Sequence, residues 1–107
     1  MLTKRDQMRH ERQARVMQAL AHPTRIAIIE FLAGDEQCVQ DIAAHLRAER
    51  SNVSRHLAIM LKAGILSTRK EGVMVYYALQ TPCALKFLGC ATDVLQLTLR
   101  ADARALT

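Results

Sequence analysis

Residues 38–64 read CVQDIAAHLRAERSNVSRHLAIMLKAG, and two apolar stripes inside that stretch decide the fold. Val39, Ile42, Ala43 and Leu46 recur at i, i+3, i+4 and i+7, one face of a short helix over 38–46. Arg47-Ala48-Glu49-Arg50 is polar and short. Beyond it, Val53, Leu57, Met60 and Leu61 mark the inner side of a second helix over 51–63, closed by Ala63-Gly64. Short helix, tight turn and second helix together make a helix-turn-helix, spanning 38–63, whose second helix enters the major groove of DNA. Once the stripe of that helix is inward, its other side carries Ser51, Asn52, Ser54, Arg55, His56 and Lys62. Arginine pairs with guanine, asparagine with adenine, and serine with a base or a phosphate, so this face has the chemistry of a groove reader. Arg50, at the start of the helix, belongs to the same surface.

After Gly64 the period changes from 3.6 to 2. Leu66, Thr68 and Lys70 alternate with Ser67, Arg69 and Glu71; Glu71-Gly72 supplies turn chemistry, and Val75, Tyr76 and Tyr77 are strand formers. Residues 65–79 are therefore a β-hairpin behind the helix-turn-helix, a wing, with Arg69 and Lys70 near its tip to meet phosphates or the minor groove. Upstream, residues 3–20 hold no helix breaker and end in Val16, Met17 and Leu20. His22-Pro23-Thr24 interrupts them; His22 reads as a helix-start residue and Pro23 suits the first turn of a new helix, whose broad apolar face is Ile26, Ile29 and Leu32 with Ile28 and Phe31 beside them and which stops at Gly34. Downstream, Pro82 opens a last helix from 83 to about 100 with two apolar stripes, Cys83, Phe87, Cys90, Val94 and Leu97, and Leu85, Leu88, Leu95 and Leu99. One stripe packs on its own domain and leaves the other for a second copy of the chain. The expected architecture is mainly α with a small β-hairpin, a single winged helix-turn-helix domain over 1–107, dimeric through helices 3–20 and 83–100.

Composition and charge agree with a DNA partner. Of 107 residues half are hydrophobic, enough to fold, and fifteen Lys and Arg against ten Asp and Glu leave a net +5. Residues 47–72 hold Arg47, Arg50, Arg55, Lys62, Arg69 and Lys70 against Glu49 and Glu71, a net +4. Residues 1–15 hold Lys4, Arg5, Arg9, Arg12 and Arg15 against Asp6 and Glu11, a net +3. The remainder is acidic on balance. No apolar run reaches the roughly 18–20 residues of a membrane span, and the start lacks the apolar stretch of a signal peptide, so a cytoplasmic location is expected. No nucleophile–base pair, phosphate loop or dinucleotide fingerprint is present, so no enzyme is expected. The +4 of the middle block also argues against a winged helix used only to bind another protein.

Several motifs occur in the order of a known family. Ala21-His22-Pro23-Thr24-Arg25, Ser51-Asn52-Val53-Ser54-Arg55-His56-Leu57, Ala63-Gly64-Ile65-Leu66, and Arg69-Lys70-Glu71-Gly72 ending in Val75-Tyr76-Tyr77 resemble the ArsR/SmtB winged-helix repressors over about residues 14–83. The resemblance implies a homodimer on a palindromic operator of double-stranded DNA, needing no cofactor to bind and released by an inducer, typically a metal or metalloid ion. Family members open the recognition helix with Ser-Gln, whereas here the pair is Glu49-Arg50, which removes a good N-cap unless Ser51 substitutes.

The sensor reading rests on Cys38, Cys83 and Cys90. Zinc-sensing relatives carry Asp and His along the last helix; this one has no His, so a zinc site is not expected there. Other relatives carry Cys-Val-Cys at the third helix, and here Cys38-Val39-Gln40 keeps only the first ligand. Soft thiolates select soft ions, and As(III) or Sb(III) would accept three sulfurs. Seven helical residues separate Cys83 from Cys90 by about 10.5 Å, too far for one ion unless Cys83 is non-helical or the other protomer contributes. Cys83, at a helix start, is the most reactive thiol by position. The same cysteines could instead form a disulfide or polysulfide in a redox- or persulfide-sensing repressor, and Cys90 within an apolar stripe could equally be a core residue.

Overall fold

The side chains most fully removed from water set the centre of the molecule. In the computed structural model, which describes residues 1–106, Ile28, Ile29, Ile42, Val53, Leu57, Met60 and Leu66 are essentially out of solvent. Each contributes on the order of 1.5–3 kcal/mol of burial, so these positions dictate how the elements pack. In chain order the elements are α1 (Lys4–Leu20), α2 (Pro23–Leu32), β1 (Gln37–Cys38), α3 (Val39–Leu46), α4 (Arg50–Lys62), β2 (Leu66–Glu71), β3 (Met74–Leu79) and α5 (Cys83–Leu106). The core is thus built by α2, α3, α4 and the root of β2. Ala19 and Leu20 from the end of α1 and Ala84 from the start of α5 complete it.

Local chemistry places the helix ends. Thr3 and Asp6 form a reciprocal capping box at α1. His22 caps α2, its Nδ1 accepting the Thr24 N–H at 3.1 Å, with Pro23 at the first helical position. Cys38 stands at the N-cap of α3 and Glu49 at that of α4, and neither makes a side-chain capping bond. Ser51 lies inside α4 and does not take the role. α5 runs past position 100 to Leu106, because Ala101, Asp102 and Ala103 offer no helix breaker.

The wing is larger than a hairpin. β2 and β3 pair antiparallel from Leu66 opposite Leu79 to Glu71 opposite Met74, and Gly72-Val73 turns between them with Gly72 at φ 63°. Positive φ at the first central residue alone is the type II′ pattern that suits the twist of a hairpin. β1 adds a third strand on the far side of β3, with Gln37 opposite Tyr77 and Cys38 opposite Tyr76. A two-residue strand has no periodicity to read, which is why the sequence pattern shows only the hairpin.

The terminal helices leave the core early. Along α1 every residue before Ala19 except Asp6 is exposed, and along α5 every residue from Gly89 through Ala105 is exposed. Val94, Leu95, Leu97 and Leu99 keep more than 60% of their surface in water. The radius of gyration is 17.0 Å, against about 13 Å for a compact chain of 100 residues.

Candidate nucleic-acid interface

Burial of Val53, Leu57 and Met60 fixes the rotation of α4, and the opposite side faces water. Arg50, Ser51, Ser54 and Arg55 are exposed and Asn52 is half-buried. Arg55 Nη2 donates to Asn52 Oδ1 at 3.1 Å, so the two residues with base-reading chemistry are neighbours one turn apart. The amides of the first turn of α4 have no side-chain cap, which leaves donors at the end of the helix that would meet a polyanion. Arg50 borders a small hollow of about 150 Å³ beneath the wing tip, together with Cys38, Val73 and Met74.

Two of the expected contact residues also have partners inside the fold. His56 lies three residues after Val53 and four before Met60, on the shoulder of the buried stripe rather than at the crest of the outer face. Its Nδ1 accepts from Arg25 Nε at 3.2 Å, and its ring packs on His22 at 4.4 Å between centroids. Arg25 also donates from Nη1 to the Gln18 carbonyl at 3.1 Å. His56 is therefore a joint between α1, α2 and α4. Burial first, then the charges of His22, Arg25 and Arg55, hold its imidazole below the ordinary histidine value.

Arg69 is the second of these. Its Nε lies 3.2 Å from both carboxylate oxygens of Glu36, its Nη2 reaches the same group, and Nη1 donates to Glu71 at 2.9 Å. The guanidinium also lies over the Tyr76 ring, 4.9 Å from its centroid. Two carboxylates surround one cation, so this corner of the wing carries no positive surplus. The Arg69 guanidinium holds Glu36 below the usual carboxylate range, while Arg69 itself is raised. Glu36 is 33 residues away in sequence, and only the third strand brings it to the wing. Lys70, beside it in β2, is exposed and forms no ion pair among the described residues.

The three thiols are not gathered in one chain. Cys38 is buried beside the wing, Cys83 is exposed at the first turn of α5, and Cys90 is exposed on the same helix. Cys83 lines a groove of about 420 Å³ with Val16, Met17 and Leu20 of α1 and with Phe87. Cys90 faces a separate apolar hollow with Phe87, Val94 and Leu95. Cys83 is helical, so the 10.5 Å rise to Cys90 stands at about that value. The core role for Cys90 is also set aside within one chain, since it is exposed. No group of three metal-ligating side chains exists among the described residues of a single chain.

Comparison with known proteins places this geometry. Residues 22–68 match the profile of the bacterial regulatory proteins of the arsR family. The chain is 36% identical over 96 residues to the HTH-type transcriptional regulator CmtR of Mycobacterium bovis, covering 90% of this chain and 79% of that protein. The chain belongs to the arsR family. Membership makes it a transcriptional regulator rather than an enzyme. Its fold is that of the homodimeric winged helix-turn-helix DNA-binding domain of Mb0332 from Mycobacterium bovis, with a TM-score of 0.79, 25% identity and coverage of 94% of this chain and 93% of that one. A crystal structure described as a "Possible transcriptional regulator for arsenical resistance" is similar at a TM-score of 0.62 and 35% identity, covering 81% and 94% of the two chains. No helix among the described residues is long and apolar enough to cross a membrane.

Two expectations follow. With its folded value lowered, His56 favours the neutral form in the native state, and the unfolded chain takes up the proton first. Its contribution to stability is present above about pH 6.5 and is lost as pH falls through the folded value. Urea midpoints near pH 7.5 and pH 5.5 should differ less for His56→Gln than for the unsubstituted protein; an equal difference would refute the assignment. Glu36→Gln should free Arg69 and strengthen binding to a mixed-sequence DNA duplex, with a steeper dependence on salt. An unchanged salt slope would mean that Arg69 stays shielded by Glu71 alone.

Proposed function

We propose that this protein is a homodimeric repressor that binds a palindromic operator through α4 and the wing and lets go when its thiols meet an inducer. The observation that carries the reading is the outward face of α4, where Arg50, Ser51, Asn52, Ser54 and Arg55 lie together on a helix held by a buried opposite stripe. The dimer reading is supported by the exposed apolar positions of α5 and α1, Phe87, Val94, Leu95 and Leu97 with Val16 and Met17. Contiguous apolar surface of this kind marks a partner site. Two copies of α4 must then fall about one helical turn of DNA apart.

The inducer reading assigns Cys83 and Cys90 to a thiophilic ion such as As(III) or Sb(III), with sulfur supplied from both protomers because one chain does not bring three thiols together. The relative described for arsenical resistance supports this reading, as does the position of both thiols on the helix whose apolar side is unpartnered. Cys38, buried at the N-cap of α3 where β1 pairs with β3, is the least accessible of the three. Oxidation or persulfide formation is the second reading, favoured by the exposure of Cys83 at the first turn of α5.

Arg55→Ala should lower operator affinity by about 1–3 kcal/mol and relax discrimination at one base pair; unchanged binding would remove Arg55 from the reading surface. Titrating the reduced protein on its operator with arsenite, antimonite, Cd(II), Zn(II) and persulfide separates the inducers. Release by arsenite that disappears in Cys83→Ser supports the ion reading. Release only by persulfide or oxidant, with the matching mass change on cysteine, supports the redox reading, and a cysteine-free variant that still responds to arsenite overturns both.

A further inference from the structure

Two helices of this chain end in the same way and differ in one residue. At the end of α3 the Ala48 N–H donates to the Ala43 carbonyl at 3.0 Å and the Arg47 N–H to that of Ala44 at 3.3 Å. At the end of α4 the Ile65 N–H donates to Met60 at 3.0 Å and the Gly64 N–H to Leu61 at 3.0 Å. Both are the paired closure of a Schellman motif, which requires a left-handed residue just past the helix. At α4 that residue is Gly64, φ 84°; at α3 it is Arg47, φ 53°. Arg47 is the only residue other than glycine with positive φ among those described. A Cβ is disfavoured in that region, and Gly or Asn would fill it with less strain.

Nothing inside the fold uses the arginine side chain. Arg47 is exposed, and among the described residues its guanidinium forms no hydrogen bond, ion pair or ring contact, whereas Arg9, Arg25, Arg55 and Arg69 each have a partner. Its place does carry meaning. Arg47 lies in the turn between α3 and α4, three residues ahead of Arg50, the first residue of α4, and both are exposed. In helix-turn-helix docking the N-terminal end of the second helix enters the groove, and the flanking turn comes to its phosphate-lined rim. Strain at one residue that the fold does not use points to a use outside the fold.

We propose that Arg47 is a phosphate-binding residue, a backbone clamp at the rim of the groove that sets α4 in register without reading sequence. The inference rests on the DNA-binding reading above and adds to it a residue outside the helix that carries the base contacts. It also makes opposite demands on stability and binding, which a structural role would not.

Phosphate contacts are independent of sequence, so a mixed-sequence duplex of about 30 base pairs serves as the probe. Arg47→Gly should raise the thermal midpoint of the free protein by a few degrees, because the left-handed residue is relaxed. The same variant should bind the duplex roughly 3–10-fold more weakly at low salt. It should also flatten the slope of log affinity against log salt by about 0.9 for each arginine removed. Arg47→Lys should keep the slope. If Arg47→Gly binds with unchanged affinity and slope, or if it only loses stability, the inference is overturned while the DNA-binding reading stands. If the unsubstituted protein shows no salt-dependent binding to any duplex, the DNA-binding reading falls and the clamp falls with it.

Discussion

The rotation of α4 is the constraint from which the rest of the interface follows. Three side chains one turn apart, Val53, Leu57 and Met60, are wholly buried against α2, α3 and the root of β2. A helix held on one side in this way has no freedom to turn. Asn52 and Arg55 are then lateral neighbours, Ser51 and Ser54 face outward, and His56 falls against His22 and Arg25. The chemical identity of the outer face is thus decided by the inner one. A helix of the same composition with its stripe displaced by one residue would turn its arginine and asparagine toward the core, where neither would find enough partners.

Net charge alone gives a poor picture of how this protein meets an anion. The +4 of residues 47–72 is divided between cations the fold has engaged and cations it has left to solvent. Arg69 is surrounded by two carboxylates and an aromatic face, and in water such exposed pairs are weak. A phosphate can compete with Glu36 for that guanidinium, but the competition costs the pair. Arg47, Arg50 and Lys70 carry no such debt. The wing therefore divides into a neutralised corner at Arg69 and an open cation at Lys70, and the turn before α4 becomes the more strongly positive end of the surface.

What could be read from the sequence depended on the range of the interaction. The α3 and α4 stripes, the cap at His22, the change to period 2 after Gly64 and the unpartnered apolar side of α5 are local patterns, and each is visible in a window of a few turns. The features that escaped are long-range or too short to have a period. β1 is two residues long and acquires its identity only from pairing with Tyr76 and Tyr77. The Arg69–Glu36 pair joins residues brought together by that strand. The bond from Arg25 to His56 spans 31 residues, although the position of His56 between Val53 and Met60 marks it as a shoulder residue. The strain at Arg47 leaves a trace in sequence only as an arginine where a helix closes.

The placement of the thiols bears on how a signal could reach α4. Cys83 is the first residue of α5, and Ala84 beside it is buried in the core with Leu20 and Ile65. Ile65 directly follows the closing turn of α4, and its N–H is bonded to the carbonyl of Met60. A change at Cys83 that tilts the first turn of α5 therefore presses on the residue that seats the C-terminal end of α4, with no intervening flexible segment. Cys90, two turns further out, opens onto an apolar hollow with Phe87, Val94 and Leu95. Chemistry at Cys83 would act on the angle between α5 and the reading helix of the same protomer. Chemistry at Cys90 would act across the proposed dimer. Coupling through packed elements of this sort requires that the two arrangements differ in contacts on both sides of the joint. Under the proposed thiol sensing, the Ala84–Ile65–Met60 seam is where that difference is expected.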